Sequence, residues 1–157
     1  MRYRDPRVRR KRVSTMDEAV YKIFRNHLPI PDAETAPYWD GAKEGRLAIK
    51  RCKPCDRPFF YPRTYCPRCG SSETEWMDAS GRGAIYSYSV IAHNDVPPFK
   101  DWLPYVVALV ELDEGPRLVT NIVGCDPKDV KVGQRVEVVF EKIDDAVTLP
   151  KFRPVIV

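Results

Sequence analysis

The chain has 157 residues, of which 43% are apolar, 15 are proline and 5 are cysteine, a composition that suits one domain with an attached module. Its formal charge is +4, but residues 1–13 carry +6 and residues 14–157 carry −2. The part of the chain expected to fold would therefore not attract nucleic acid over a broad face. The longest apolar run, Tyr105 to Val110, is far shorter than the roughly 20 residues of a transmembrane helix.

The first segment, residues 1–15, is a basic tail. Residues 1–13 have no hydrophobic periodicity, which predicts disorder. Because the features needed for folding follow Met16, we interpret the tail as a start-site extension. No signal-type apolar stretch follows it, so we expect a cytoplasmic protein whose cysteines are reduced and available as metal ligands.

Residues 16–46 are predicted to form a helical segment. The first helix covers residues 17–25, with Ser14 or Thr15 as its cap and an apolar face of residues three to four apart: Ala19, Val20, Ile23 and Phe24. A second helix begins at Thr35, has Pro37 in its first turn and stops at Gly45. It directs three side chains towards a packing surface: Tyr38, Trp39 and Ala42.

Two C-x2-C units dominate residues 47–79, where short strands are expected at 47–51, 59–61 and 74–77. Cys52 and Cys55 form the first unit, and Cys66 and Cys69 form the second, ten residues later. Each pair can bind one ion from a tight turn, and two pairs complete a tetrahedron. A closed site of four cysteines leaves no open position for water or substrate, which indicates a structural ion.

Zinc is the expected ion, and iron is the alternative. Cys66-Pro67-Arg68-Cys69-Gly70 resembles a rubredoxin knuckle, although Asp56 follows the first unit where glycine is usual. Disulfides are disfavoured because the cytoplasm keeps thiols reduced. A redox dithiol would need a thioredoxin-like setting that the sequence lacks. Cys125 stands alone and is expected to be a small residue at a strand end.

Residues 80–157 read as five strands, at 84–92, 105–112, 117–123, 135–142 and 152–157. This pattern predicts a closed five-stranded barrel of OB type, with a short sandwich as the alternative. Residues 105–112 are apolar on both faces, so we expect the second face to be covered as well. The fold class is therefore mainly β, with N-terminal helices, a rubredoxin-like zinc ribbon and a C-terminal OB-fold barrel.

The order of these features resembles a family of zinc-ribbon and OB-fold accessory proteins that accompany thiolase-like and steroid-side-chain-degrading enzymes. The match covers about residues 30–157 and rests on an ordered series of short motifs: Tyr38-Trp39, Gly45-Arg46-Leu47, Cys52-x2-Cys55, Phe59 to Pro62, Cys66 to Ser71, Gly81-Arg82-Gly83, Tyr86-Ser87-Tyr88, Glu114-Gly115 and Val132-Gly133. The basic extension before Met16 departs from the family pattern and is a candidate second binding element.

The resemblance implies a non-catalytic accessory subunit that binds acyl-CoA, docks on a thiolase-like, aldolase or hydratase partner, or does both. It also implies structural zinc, and all four cysteines match the ligand positions. The phosphates of CoA need positive charge, and six basic residues gather around the ribbon and its junction with the barrel: Arg51, Lys53, Arg57, Arg63, Arg68 and Arg82. A solvated ribbon surface is the alternative interpretation of these residues.

The loop of residues 92–104 is the candidate docking element. It is long for a small barrel, and Phe99 and Trp102 offer apolar anchors next to His93. We hypothesise that it docks the partner enzyme, while the alternative is a loop folded back over the barrel end.

Other functions remain open at this stage. Neither His27 nor His93 lies in a nucleophile-base motif, so the sequence predicts no active site of its own. A nucleic-acid-binding module is the main rival hypothesis, since Tyr86 and Tyr88 fall on one strand face and could stack on bases. The same spacing is also what a barrel core requires, and we expect both tyrosines to lie in the core. A rubredoxin-like electron carrier is the third hypothesis.

Overall fold

The computed structural model describes residues 16–155, so the tail at residues 1–15, predicted to be disordered, lies outside the described residues. Two helices come first, α1 at Glu18–Arg25 and α2 at Ala36–Lys43. Eight strands follow: β1 Leu47–Cys52, β2 Arg57–Phe59, β3 Thr74–Ala79, β4 Arg82–Ile91, β5 Tyr105–Leu112, β6 Arg117–Ile122, β7 Arg135–Lys142 and β8 Thr148–Pro154. None of the helices in the described part of the chain has the length and hydrophobicity that crossing a bilayer requires.

The strands form a three-stranded sheet and a closed barrel. In the sheet, β1 lies between β2 and β3 and is antiparallel to both. The barrel has the order β4-β5-β6-β8-β7 and closes where β4 pairs with β7, with Gly83 opposite Val136. β6 and β8 run parallel, with Ile122 opposite Phe152. The predicted mainly β class with an OB-type barrel is confirmed, and the sandwich alternative is wrong.

One apolar core joins α2, the three-stranded sheet and the barrel. Tyr38 and Trp39 of α2 are buried together with Leu47 and Ile49 of β1. The same cluster continues into the barrel, where Phe152 is fully buried. Packed side chains therefore fix the ribbon against the barrel. The division into units at residues 47 and 80 stays a prediction.

Helix α1 packs on the end of the barrel through a second, smaller apolar cluster. Phe24 and Leu28 are buried against Ile143 and Val147, which lie in the turn between β7 and β8. The Tyr21 hydroxyl donates a hydrogen bond of 2.8 Å to the Asp144 side chain of the same turn. This turn therefore anchors α1.

The start of α1 differs from the prediction. The Asp17 side chain accepts a hydrogen bond of 2.9 Å from the Ala19 N–H, so Asp17 caps the helix and the expectation for Ser14 or Thr15 was wrong. Of the predicted apolar face, Phe24 is buried but Ile23 is 41% exposed, because only one edge of the helix meets the barrel.

The prediction for α2 is confirmed. Thr35 precedes the helix, Pro37 lies in its first turn, and the three side chains expected to pack are buried: Tyr38, Trp39 and Ala42.

The expectation that Tyr86 and Tyr88 lie in the barrel core is wrong. A β-bulge between Ile85 and Ser87 shifts the register of β4 against β5. Tyr86, which is left out of the pairing at the bulge, is 49% exposed, and Tyr88, which lies opposite Ala108, is 39% exposed. The Arg117 guanidinium lies 3.5 Å from the centroid of the Tyr86 ring.

The second face of β5 is also less covered than expected. β5 has the predicted bounds, but its residues alternate between buried and half-buried, so its second face is only partly covered. Its inward residues fill the barrel, while Val107 and Leu109 lie on the outer face beside Val119 of β6, which is 70% exposed.

Gly83 lies where β4 passes closest to β5, since a Cβ at this position would overlap the carbonyl oxygen of Glu111. We expect Gly83→Ala to lower the free energy of unfolding by about 1–3 kcal/mol, because the two strands must move apart. Urea unfolding measures the change. Ser87→Ala, at an exposed position of the same strand, is the control and should change stability by about 0.5 kcal/mol or less. Equal stability of the two variants would contradict the prediction.

Candidate metal centre and adjoining cavity

The four cysteines of the C-x2-C units meet at one end of the three-stranded sheet. Cys52 ends β1 and Cys55 lies in the turn to β2, while Cys66 and Cys69 lie in the turn between β2 and β3. All four sulfur atoms lie within 4.8 Å of one another. The predicted convergence of the two units on one site is therefore confirmed.

Each cysteine pair sits in a turn that needs a residue with positive φ. Gly70 follows the second pair with φ 74°, and Asp56 follows the first with φ 50°. Aspartate is among the few residues besides glycine that tolerate this conformation. The Asp56 carboxylate also accepts a hydrogen bond from the Arg51 guanidinium. Asp56 thus takes the place of the glycine that is usual in this turn.

The sulfur geometry fits a tetrahedral metal ion. The Cys52 and Cys69 sulfurs lie 3.5 Å apart, and those of Cys55 and Cys66 lie 3.8 Å apart. A regular tetrahedron with metal–sulfur bonds of about 2.3 Å has sulfurs roughly 3.8 Å apart. The four side chains can therefore hold one ion with all of its coordination positions filled by protein.

The protein stabilises negative charge unevenly within the cluster. Backbone N–H groups of Cys69 and Arg68 lower the pKa of Cys66 to about 6, and the Arg68 N–H lies 3.4 Å from its sulfur. The Cys55 N–H lowers the pKa of Cys52, but burial and the neighbouring thiols outweigh this effect and raise that pKa to about 12. A bound cation is what would allow all four sulfurs to be thiolates.

The structure separates the six basic candidates into two groups. Arg51 pairs with Asp56, and the Lys53 amine lies 3.8 Å from the Glu75 carboxylate. The charge of Arg63 acts on Glu34, whose pKa is lowered mainly by its hydrogen bonds with Thr64. The pKa of Asp113 is lowered mainly by its hydrogen bonds with Arg135, and the charge of Arg82 lowers it further. Arg51 and Lys53 therefore already face carboxylates, whereas Arg63 and Arg82 act on theirs without forming an ion pair among the described residues.

The other two basic candidates, Arg57 and Arg68, line a cavity between the ribbon and the barrel. The cavity volume is about 350 Å³. One wall comes from the ribbon and includes Phe60 and residues 66–68, and the other is the β5–β6 turn at residues 114–116. Within the described residues, neither arginine pairs with a carboxylate. Two of the six basic candidates thus line one cavity, and the assignment of the six to acyl-CoA stays a prediction.

The candidate docking loop is packed on α1. The rings of Phe99 and Trp102 lie 5.9 and 5.3 Å from that of Phe24, each in an edge-to-face arrangement. His93 remains largely exposed, with its Nε2 3.3 Å from the Asp95 carboxylate. The structure therefore brings Phe99 and Trp102 together but leaves His93 apart from them.

Sequence reasoning missed Glu114 and Phe60 as members of the cavity. Glu114 belongs to the turn between β5 and β6, and nothing in its local sequence indicates that this turn faces the metal-binding ribbon. One Glu114 oxygen accepts a hydrogen bond of 2.6 Å from the Ser80 N–H. The other is buried and has no hydrogen-bond partner among the described residues.

Two family models match the chain in the same order as the two structural units. Residues 39–75 match the ChsH2 rubredoxin-like zinc ribbon domain, and residues 76–141 match the ChsH2 C-terminal OB-fold domain. All four clustered cysteines lie within the first match.

The chain is 42% identical over 128 residues to the "Probable enoyl-CoA hydratase alpha subunit" of Thermomonospora curvata. This match covers 82% of this chain but only 40% of that protein's length. It is 46% identical over 98 residues to a "DUF35 domain-containing scaffold protein" of Methanothermobacter thermautotrophicus, covering 62% of this chain and 73% of that protein. A solved structure described as "Ltp2-ChsH2(DUF35) aldolase" matches with a TM-score of 0.73 and 42% identity, over 81% of this chain and 98% of that chain.

We expect Cys66→Ser to lose most of the bound metal, because three thiolates no longer complete the tetrahedron. Elemental analysis of the purified chain measures this, with about one ion per chain expected before substitution. Cys125→Ser, which lies outside the cluster, is the matched control and should keep its metal. Retention of the ion by the Cys66 variant would contradict the assignment.

Proposed function

Because this chain belongs to the DUF35 family and carries the ChsH2-type zinc ribbon and OB-fold domains, we propose that it is a non-catalytic scaffold subunit that binds acyl-CoA and docks on a thiolase-like, aldolase or hydratase partner. Its pathway would be acyl-CoA, lipid or steroid metabolism. The names of the relatives support the scaffold role and the kinds of partner.

The surroundings of the two histidines support a non-catalytic role. The His27 ring packs edge-to-face on Phe99 at 5.6 Å, and His93 is an exposed residue beside Asp95. Among the described hydrogen bonds, neither histidine contacts a serine or cysteine, as nucleophilic catalysis would require. The relative named as a hydratase subunit is matched over only 40% of its length.

The observation that carries the acyl-CoA assignment is the ribbon–barrel cavity with its two arginines. Arg57 begins β2 and Arg68 lies between the two cysteines of the second pair, and no carboxylate in the described residues neutralises them. Guanidinium groups are well suited to bind phosphate because they donate paired hydrogen bonds. An acyl-CoA therefore finds its positive charge at this cavity rather than along the whole ribbon.

The metal in this proposal is structural zinc. The four-sulfur site is closed, so the ion would supply no Lewis acid to a substrate. It would fix the Cys66–Cys69 turn, which holds Arg68 on the cavity wall. A colourless protein would support zinc over iron, since a ferric site of this type is red.

Docking is assigned to the end of the barrel, where the loop of residues 92–104 meets α1. Phe99 and Trp102 are half-buried and give the loop its shape through their contacts with Phe24. The loop also presents His93 and the 40% exposed Val96 at its surface. Large aromatic residues at the centre of such a surface are the ones that dominate protein interfaces.

We expect the double variant Arg57→Glu with Arg68→Glu to bind acetyl-CoA at least about tenfold more weakly, since each charge-assisted hydrogen bond contributes about 1.5–3 kcal/mol. Calorimetric titration measures the affinity. The matched control is Lys128→Glu with Lys131→Glu, which makes the same charge change at exposed positions outside the cavity. An equal loss in both variants would show a general charge effect and count against the site.

We expect Phe99→Ala with Trp102→Ala to abolish co-purification of the partner enzyme while the metal content stays unchanged. The measurement is an affinity pull-down from the natural host with mass spectrometry. Phe24→Ala is the control, because it removes the packing of α1 but leaves both loop aromatics in place. Loss of the partner in the control as well would assign the effect to unpacking of α1 and overturn docking by the loop.

A further inference from the structure

Helix α1 is held on the barrel by side chains alone. Among the described residues, no backbone hydrogen bond joins residues 16–31 to the rest of the chain. The polar contacts of α1 with the barrel converge on Asp144, which accepts the hydrogen bond from Tyr21 and lies 3.6 Å from the Arg25 guanidinium. An isolated helix of eight residues is unstable in water. α1 therefore depends on the barrel, while the barrel closes through strand pairing that does not involve α1.

The apolar part of this contact has the form of a helix on a groove. Phe24 and Leu28 are buried, and because they are four residues apart they lie on one face of the segment. Phe24 meets both loop aromatics edge to face, and these two rings lie 5.4 Å from each other. We call the apolar residues of this cluster that lie outside the α1 segment the α1 contact surface: Phe99, Trp102, Ile143, Val147 and Leu149.

Docking by the loop requires rings that α1 already covers. Phe99 and Trp102 are the anchors of the proposed docking site, yet both are half-buried and face Phe24. Anchor residues contribute most to an interface when the partner surrounds them and excludes water. A partner that surrounds these two rings must therefore take the place of Phe24.

The segment that follows α1 permits such an exchange. Residues 29–31 read Pro-Ile-Pro, and Ile30 is 91% exposed, so this segment runs over the surface without packing. Beyond it, the Thr64 N–H donates a hydrogen bond of 2.8 Å to the Glu34 carboxylate and ties the chain to the ribbon. Release of α1 would thus break the contacts at the barrel end and leave Glu34 and α2 in place.

Asp144 sets the polar chemistry that an occupant of this surface must offer. Its Oδ1 accepts the N–H groups of Ala146 and Val147 at 2.8 and 2.7 Å, which fixes the carboxylate within its turn. Its Oδ2 faces α1 and meets a hydroxyl donor and a guanidinium there, from Tyr21 and Arg25. A segment that replaces α1 must therefore bring a donor or a positive charge to Oδ2, because a buried carboxylate oxygen without one is unfavourable.

We infer that α1 covers a binding site for a helical segment of the partner enzyme, and that this segment displaces α1. The segment presents two large apolar side chains four residues apart to Phe99 and Trp102, and a hydroxyl or a cation to Asp144. This inference rests on the proposed docking function and adds that α1 competes with the partner for the loop.

The test uses the whole chain and a fluorescent peptide of residues 16–28 as the probe. In the native chain the tethered α1 competes with the peptide at a high effective concentration. Tyr21→Phe combined with Phe24→Ala weakens α1 and leaves every residue of the α1 contact surface unchanged. We expect this weakened variant to bind the peptide at least about tenfold more tightly than the native chain does, as measured by fluorescence anisotropy.

Ile23→Ala, on the exposed face of the same helix, is the matched control and should bind the peptide as the native chain does. Asp144→Asn, added to the weakened variant, should reduce peptide binding, because the carboxylate no longer meets Tyr21 and Arg25 of the peptide. Circular dichroism reports that each chain is folded. Equal peptide binding by the native chain and the weakened variant would overturn the inference. A native dimer that dissociates in the weakened variant would also overturn it, because α1 of a second copy would then be the occupant.

Capture of the partner enzyme, identified by mass spectrometry, separates this inference from the proposed function. The weakened variant should capture more of the partner than the native chain does, and an excess of the peptide should release it. A partner that needs Phe99 and Trp102 but is not released by the peptide would leave docking by the loop standing and reject the displacement of α1. A partner retained after both aromatics are replaced by alanine would reject the proposed docking itself.

Discussion

The convergence of four cysteine sulfurs within 4.8 Å is the constraint on which the rest of the ribbon depends. Four thiolates at this distance repel one another, and a cation removes that repulsion while fixing both turns. The cysteine-bearing end of the ribbon has little else to hold it, because β2 is only three residues long and the local cluster contains mainly cysteines and Phe59. The turn that places Arg68 on the cavity wall therefore depends on the metal centre.

The cavity also depends on the apolar core that the ribbon shares with the barrel, because it exists only when the ribbon has a fixed place against the barrel. Helix α2 fixes that place by burying Tyr38 and Trp39 between β1 and the barrel strands. The cavity walls come from residues 57–68 and 114–116, which are distant in sequence. Neither wall would form a binding site alone, so the apolar packing of α2 is as important to the site as the charged residues that line it.

The sequence was sufficient for features that depend on local pattern. The C-x2-C spacing predicted the metal centre, and Pro37 with the apolar residues around it predicted α2. The apolar run at residues 105–112 and the strand pattern at residues 135–142 predicted the bounds of β5 and β7. Features that depend on long-range contacts were missed. The bulge that exposes Tyr86 follows from the pairing of β4 with β5, and the anchoring of α1 follows from a hydrogen bond between Tyr21 and Asp144, 123 residues apart. Glu114 escaped detection for the same reason, because its significance arises only when the turn meets the ribbon.

The position of the cavity against the metal-binding turn has a thermodynamic consequence. Cys66, Pro67 and Arg68 are at once part of the metal centre and part of the cavity wall. A molecule held across the cavity would therefore favour the metal-loaded ribbon, and by linkage the ion would strengthen binding of that molecule by the same factor. An ion with no role in chemistry would in this way act as an effector of binding at the cavity.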